Sequence, residues 1–230
     1  MKRRLIIAAS VILSISGCFN FVLPDKIPQG KWNYRLLING VEAGSAEISS
    51  RKVNDTYESS SEFRMDLAGT STISKETVIE TLDFAPVRYE SYSRIKSGNN
   101  INETITSAVF NGTKVELVIN NKKAHYDIKN DFRIEGNYSL AKLIEGRFKE
   151  GMEVEERVYN PSIELDAVML VKTRVAGIED VDVNGKSEKL IHITQTIENI
   201  KSIDVYLDSQ AVTKKAVIKM LNLKMEIIKI

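Results

Sequence analysis

The sequence has few cysteines, histidines, tryptophans and prolines, and its opposite charges nearly balance. Its 230 residues include one cysteine, two histidines, one tryptophan and four prolines. A single cysteine excludes an intrachain disulfide framework, and so few prolines exclude a long proline-rich linker. Basic and acidic residues nearly cancel, at 32 against 31. The sequence therefore indicates neither a nucleic-acid-binding patch nor a funnel for acidic substrates, and we expect no nucleic-acid partner.

Long apolar runs are also missing, with one short exception near the N-terminus. Three basic residues, Lys2 to Arg4, precede an apolar or small-residue run from Leu5 to Ile15. A run of about eleven residues is too short for a transmembrane helix, but it matches the central region of a secretory signal peptide. We therefore predict a signal peptide at residues 1–17.

The end of this run predicts a lipid anchor. The residues Ile15-Ser16-Gly17-Cys18 resemble the lipobox of bacterial lipoproteins, an aliphatic residue and two small ones before a cysteine. The resemblance implies that Cys18 is acylated and becomes the first residue of the mature protein, and several acyl chains anchor a protein stably. We expect a lipid-anchored protein of the cell envelope, on the periplasmic side or the cell surface, with the membrane as a partner. The alternative is an ordinary signal peptide followed by a chance cysteine.

The rest of the chain predicts a short tether and one β domain. Residues 18–29 contain two prolines and no periodicity, which is typical of a tether. In residues 30–230, apolar and polar residues alternate almost throughout, as in half-buried strands. The pairs Asn39-Gly40, Asn111-Gly112 and Asn184-Gly185 predict tight hairpins. About a dozen strands are too many for a flat open sheet, so we predict an all-β fold, a large curled antiparallel sheet or incomplete β-barrel.

Three segments carry more specific expectations. One short helix is predicted, with Ser139 as its N-cap and Gly146 at its end. A strand is predicted over residues 163–175, and the apolar residues 220–230 predict a central strand, since an exposed apolar edge would promote aggregation.

Glycine 44 lies inside the second predicted strand. A glycine within a strand usually marks a bulge or a close approach of another backbone. Gly44 follows the tip of the first hairpin, where a curling sheet must bend, so we interpret it as a site of curvature. The alternative is a ligand that approaches the backbone at this point.

The same stretch resembles a known family. Trp32 and Tyr34, followed by Asn39-Gly40 and Ala43-Gly44, resemble exported bacterial proteins grouped as domain of unknown function three thousand one hundred and eight. Residues 84–89, residues 146–151 and the segment Val205-Tyr206-Leu207-Asp208 fit the same family in the same order. The resemblance spans nearly all of residues 30–230. It implies a topology and carries no catalytic residues.

Some apolar strand faces are dotted with short polar side chains, which predicts a partly wet cavity. A close-packed core rarely takes so many polar groups, because each needs a hydrogen-bond partner when buried. The candidate ligand-cavity residues are Ser59, Ser61, Phe63, Ser91, Ser93 and Glu103. The alternative is that these strand segments extend past the core into water.

No spacing in the sequence points to catalysis, to a cofactor or to a metal. Strand periodicity turns His125 and His192 away from their apolar neighbours, and no closely spaced His or Cys pair is present. We therefore expect a non-enzymatic protein that binds or carries an apolar or lipid-like small molecule in a curled sheet. The alternative function is a structural or interaction module that contacts another envelope protein and has a fully packed interior.

Overall fold

The computed structural model describes residues 23–134, 136–198, 201–220 and 223–230. Within them, one antiparallel sheet holds fourteen strands, and one helix interrupts the strand order. The elements are β1 Gly30–Ile38, β2 Val41–Val53, β3 Thr56–Leu67, β4 Thr70–Thr81, β5 Pro86–Ser97, β6 Asn100–Asn111, β7 Lys114–Ile119, β8 Lys122–Asp127, α1 Asn137–Glu145, β9 Glu153–Val158, β10 Met169–Val183, β11 Lys186–Ile197, β12 Lys201–Leu207, β13 Thr213–Met220 and β14 Leu223–Lys229. The predicted all-β fold is confirmed.

The two ends of the domain meet in the middle of the sheet. Strands β1 to β8 form a meander in one direction, β9 to β14 form a meander in the other, and β14 pairs with β1. Tyr34 lies opposite Lys229, and Ile38 lies opposite Met225. The predicted central strand at the C-terminus is therefore confirmed.

The sheet curls around the helix. Asn137 in α1 donates to Ser59 on β3 at 3.2 Å, while Leu143 and Ile144 pack with Val175 and Ile191 of β10 and β11. These strands are far apart in the sheet order, so one short helix can reach them all only if the sheet wraps around it. We call the face that carries Tyr34 and packs on the helix the inner face.

The edges of the curled sheet are joined by the chain between β8 and α1. The N–H of Ile128 donates to Thr113 O at 2.9 Å, and the N–H of Arg133 donates to Arg157 O at 2.8 Å. Arg133 thus forms a parallel bridge with Val158 of the edge strand β9. Among the described strands, β8 and β9 do not pair directly, so the sheet is curled but does not close into a barrel.

The start of the helix differs from the sequence prediction. The N-cap is Gly136, and Ser139 lies within the helix, where its buried hydroxyl donates to Glu156 Oε1 at 2.7 Å. The predicted end at Gly146 is confirmed, since its N–H donates to Lys142 O. In the described ranges, no helix has the length and apolar character needed to cross a membrane.

The three predicted hairpins form, one of them with a shifted turn. Asn39 and Gly40 have φ of 49° and 82°, as a type I′ turn requires. Asn111 instead pairs with Lys114, so the second turn is Gly112-Thr113. Gly112 has φ of 62°, and a glycine at the first loop position is typical of a type II′ turn.

The predicted strand over residues 163–175 is wrong in its first half. β10 begins at Met169 and continues to Val183, and the preceding residues form a loop. Tyr159 donates its hydroxyl to Leu165 O at 2.8 Å, which holds the loop in a folded-back conformation. The sequence prediction counted the apolar side chain of Ile163 as part of a strand. In the structure this side chain is 63% exposed and lies in the loop.

The tip of the β10–β11 hairpin folds over the opposite, outer face of the sheet. A register shift between Val175 and Gly177 bends the hairpin. Beyond it, Val183 and Leu190 pack against Ile228 on the outer face of β14. These apolar side chains can pack together because the hairpin bends. The bend cannot be predicted from the local alternation of apolar and polar residues.

The glycine at position 44 marks both a bulge and a close approach. Leu36 pairs with Gly44 and Leu37 pairs with Glu42, so Ala43 is an extra residue in β2. A Cβ at Gly44 would lie 1.9 Å from the carbonyl oxygen of Arg64 on β3. The predicted bend is therefore confirmed, and the backbone that approaches is the protein's own.

Residues 23–29 of the predicted tether lie on the domain. Ile27 is buried with Tyr57 and Phe84, and Gln29 Oε1 accepts a hydrogen bond from the N–H of Lys52 at 3.0 Å. The apolar side chain of Ile27 explains this packing, because it removes apolar surface from water.

Candidate functional site

The candidate site is a pocket of about 300 Å³ that opens from the inner face to solvent. It lies between β1 to β3, the segment before β1, the helix and the turn after β12. We call it the inner pocket. Its lining residues are Ile27, Pro28, Trp32, Tyr34, Ile48, Ser49, Ser50, Ser59, Ser60, Ser61, Phe63, Asn137, Leu140, Ala211, Val212 and Thr213.

Strand register explains why these side chains meet. Ser50 lies opposite Ser59, Ile48 opposite Ser61, and Ala46 opposite Phe63. Side chains two residues apart share a face of the sheet, so these pairs form successive rows on the inner face. The rows change from polar at Ser50 to apolar at Phe63, which gives the pocket two chemically different ends.

The polar end is built around Asn137 at the start of the helix. Its Nδ2 donates to Ser59 Oγ at 3.2 Å and to Glu80 Oε2 at 2.9 Å. The hydroxyl of Ser50 is buried, and no described side chain or backbone group pairs with it. A hydroxyl can both donate and accept a hydrogen bond, so Ser50 offers the pocket a polar contact once its side chain rotates toward the open space.

The apolar end is built from aromatic and aliphatic side chains of β1 to β3. Trp32, Ile48 and Phe63 pack on Tyr34, which is 2% exposed. The hydroxyl of Tyr34 donates to Thr213 O at 3.2 Å. Burial, together with the negative charge of Asp208, raises the pKa of Tyr34 to about 12. Tyr34 therefore stays neutral and serves as an apolar wall with a satisfied hydroxyl.

A pair of buried carboxyl groups lies behind the polar end. Glu80 on β4 is 1% exposed and Glu156 on β9 is 6% exposed. Burial is the main cause that raises the pKa of Glu80 to about 7, and the charge of Glu156 adds to it. Burial also raises the pKa of Glu156. Arg133 approaches the two carboxyls and stacks on the Tyr138 ring at 4.9 Å.

A second polar cluster lies on the inner face further along the sheet. The hydroxyl of Tyr89 donates to Glu76 Oε2 at 2.7 Å and lies 2.8 Å from Ser162 Oγ. Ser91 Oγ lies 2.9 Å from the same Ser162 hydroxyl. Burial is the main cause that raises the pKa of Glu76. The loop before β10 thus seals this part of the interior with hydrogen bonds.

The structure brings together half of the predicted cavity residues. Ser59, Ser61 and Phe63 line the inner pocket. Ser91 belongs to the cluster sealed by Ser162, and Ser93 lies opposite Ser74 on the inner face, outside the pocket lining. A ligand role for any of these residues stays a prediction.

Glu103 lies on the outer face, where Tyr92 donates to it at 3.0 Å. The sequence prediction assumed that its neighbours Ile101 and Ile105 face the core, but they are 52% and 60% exposed. The buried face of β6 carries Thr106 and Ala108 instead. The ends of β5 and β6 extend past the core, as the alternative interpretation proposed.

Sequence reasoning missed several pocket residues. Ser50 is two residues after Ile48 on β2, so both side chains lie on the same face of the strand. Its inward orientation could therefore have been predicted from the alternation. Asn137, Ala211 and Val212 come from turns and the helix start, and only the curl of the sheet brings them to the pocket.

The two histidines lie away from the inner pocket. His125 is exposed on β8. His192 lies on the outer face, where it contacts Glu179 at 2.8 Å and Asp204 at 3.1 Å and stacks on Tyr206. In the part of the chain that the structure describes, no three His, Cys, Asp or Glu side chains form a group that could hold a metal ion. The predicted signal peptide and Cys18 lie outside the described residues.

The architecture belongs to the class of curled, β-barrel-like single-sheet proteins. It is similar to the crystal structure of a β-barrel-like protein of domain of unknown function DUF1849 from Brucella abortus. The TM-score is 0.63 at 13% identity, over 87% of this chain and 94% of that one. At this identity the likeness shows the fold alone.

The other comparisons add no function. A DUF1089 family protein from Pseudomonas aeruginosa aligns with a TM-score of 0.28 at 9% identity, over 95% of this chain and 92% of that one. No protein-family model matches the chain, and no curated protein matches it. Membership of the exported family described above therefore stays a prediction.

Proposed function

We propose that this protein is a lipid-anchored, non-enzymatic protein of the cell envelope that binds an apolar or lipid-like ligand in the inner pocket. The observation that carries the proposal is the pocket itself, about 300 Å³ with aromatic and aliphatic walls and a row of hydroxyls at one end. Small-molecule sites are typically concave, mostly apolar, and equipped with a few polar groups that orient the ligand. The alternative, a module with a fully packed interior, has no use for such a space.

The positions of the titratable groups support a binding role. Among the described residues that line the inner pocket, Tyr34 is the one titratable side chain, and its raised pKa keeps it neutral. The buried carboxyls of Glu76, Glu80 and Glu156 are hydrogen-bonded to Tyr89, Asn137 and Ser139, and none of the three belongs to the described lining. General acid–base catalysis needs such a group within reach of the substrate.

The chain's single tryptophan gives a direct test of binding. Trp32 lines the pocket, so a ligand that enters should change its emission. We expect the neutral apolar probe N-phenyl-1-naphthylamine to quench Trp32 and to gain fluorescence by energy transfer. Ser61→Phe, which fills the pocket from β3, should weaken probe binding about tenfold or more, because the ligand loses its space. Ser45→Phe, at an exposed position on the outer face of β2, is the matched control.

Two results together would contradict the ligand proposal. If the probe leaves Trp32 emission unchanged, and native mass spectrometry of protein purified without detergent shows a clean apo mass, the ligand proposal fails. A protein recovered by cross-linking in the intact envelope would then favour the interaction module.

The anchor has a separate test. We expect Cys18→Ala to move the protein from the membrane fraction to the soluble fraction or to leave it unprocessed, because the acylated thiol is lost. Ser14→Ala, which leaves the Ile15 to Cys18 motif intact, should be processed and retained. Fractionation and the intact mass of the mature protein measure both. Membrane retention of Cys18→Ala that has the intact mass of the cleaved chain, after detergent-free washing, would refute lipid anchoring.

A further inference from the structure

The polar end of the inner pocket suggests which head group a ligand would carry, an inference that rests on the proposed function. Ser50 and Ser59 form a cross-strand pair there, and the hydroxyl of Ser50 is buried without a described partner. A ligand hydroxyl, ester or amide could exchange a hydrogen bond with it after a rotation of the Ser50 side chain about its Cα–Cβ bond. An unpaired buried hydroxyl costs free energy, so a ligand that pairs with it gains from the contact.

The pocket offers nothing that would neutralise an anion. No lysine, arginine or histidine belongs to its described lining. Arg133, which is outside the lining, lies near Glu80 and Glu156 and packs on Tyr138. Burying a carboxylate without a cation is far more costly than burying a hydroxyl that finds a partner.

Two carboxyl groups lie just outside the pocket lining. Behind Asn137 at the polar end lies Glu80, and near Tyr34 at the apolar end lies Asp208. Burial is the main cause of the raised pKa of Tyr34 and of Glu80, and the charges of Asp208 and Glu156 add to it. A cationic head would have to reach Glu80, which is 1% exposed and already accepts a hydrogen bond from Asn137.

We infer that the inner pocket takes an amphiphile with an uncharged, hydrogen-bonding head group, such as a monoacylglycerol, and discriminates against a fatty-acid anion or a long-chain amine. The apolar chain would lie against Phe63 and Tyr34, and the head would pair with Ser50 beside Ser59. The selectivity comes from the missing counter-charge in the lining, since the chain contacts are the same for all three ligands.

The test compares ligands that share one acyl chain length. We expect 1-monolauroylglycerol to titrate Trp32 emission near pH 8 at a dissociation constant at least about tenfold below those of lauric acid and laurylamine. Equal or tighter binding of either charged ligand would overturn the head-group inference and leave the proposed function standing. No change in Trp32 emission with any of the three, together with no response to N-phenyl-1-naphthylamine, would overturn the proposed function itself.

A single-atom change locates the head group. Ser50→Ala should weaken binding of 1-monolauroylglycerol about fivefold, the loss of one hydrogen bond, and leave binding of N-phenyl-1-naphthylamine unchanged. Ser45→Ala, on the same strand but exposed, should change neither. Circular dichroism and the melting temperature verify that both variants are folded. Unchanged affinity of folded Ser50→Ala for the monoacylglycerol would refute the placement of its head.

Discussion

Gly44→Ala is expected to destabilise the domain by about 3 kcal/mol or more, which lowers the melting temperature by about 6–12 °C for a protein of this size. The added methyl would lie 1.9 Å from Arg64 O and 2.9 Å from Met65 Cα. Both are backbone atoms of β3, so no side-chain rotation relieves the contact. The β2–β3 pairing must open where Gly44 lies opposite Met65, at the bulge that bends the sheet.

The matched control is the neighbouring Ser45→Ala. Ser45 is exposed on the same strand, and surface substitutions of this kind usually change stability by less than about 0.5 kcal/mol. Urea and thermal unfolding measure both variants. A Gly44→Ala protein as stable as the control would mean that β3 moves away from β2 at little cost, and the close approach would not explain the glycine.

Glu80 is expected to make the domain less stable as the pH rises. Its pKa is about 7 in the folded protein against an ordinary value of 4.5. Between these two values the folded state keeps a proton that the unfolded state releases, so the free energy of unfolding falls with rising pH. The full difference corresponds to about 3 kcal/mol. It is absent below the ordinary pKa and complete above pH 7.

Glu80→Gln removes this pH-dependent cost. The amide can accept from Asn137 as the carboxyl does, and its NH₂ can donate to the unpartnered Oε2 of Glu156. We expect the variant to be more stable than the wild type by about 1–3 kcal/mol at pH 8 and nearly equal to it at pH 5. Urea unfolding across this range measures the difference between the two curves.

A matched variant distinguishes the effect of removing a buried carboxyl from the effect of removing any one negative charge. Glu116→Gln removes an exposed carboxyl from β7, so its unfolding free energies should run parallel to those of the wild type. Glu76 and Glu156 also have raised pKa values because of burial, and both remain in each protein. If Glu80→Gln kept the full wild-type slope between pH 5 and 8, the buried charge of Glu80 would not be its source.

Much of the fold was predictable because strands and tight turns leave local signals. Asn39-Gly40 and Asn184-Gly185 have the positive φ angles that their turns need, and the alternation around Tyr34 gives the buried face of β1 directly. The prediction was wrong at the loop before β10, because Ile163 is exposed and the loop folds back through Tyr159. It also placed Ser139 at the helix start, where Gly136 lies.

The inner pocket was predictable only in part. Serines that alternate with Phe63 on β3 predicted an interior with polar groups, and this strand does line the pocket. The same logic placed Glu103 inward, since isoleucines flank it, but that end of β6 extends past the core and its isoleucines face water. Apolar side chains show which face of a strand is buried only where another layer of the protein covers that face.

The sequence by itself determined the strand content, the hairpin turns and the need for a bend at Gly44, because backbone conformation and two-residue alternation are local properties. Only the tertiary structure decided that β14 pairs with β1 and that Asn137 and Val212 join serines of β2 and β3 around one pocket. It also decided that two carboxyls are buried together. The physical reason is that the curvature of the sheet brings distant strands around one interior. This curvature accumulates from small contributions of all the strands, so no local stretch of sequence specifies it.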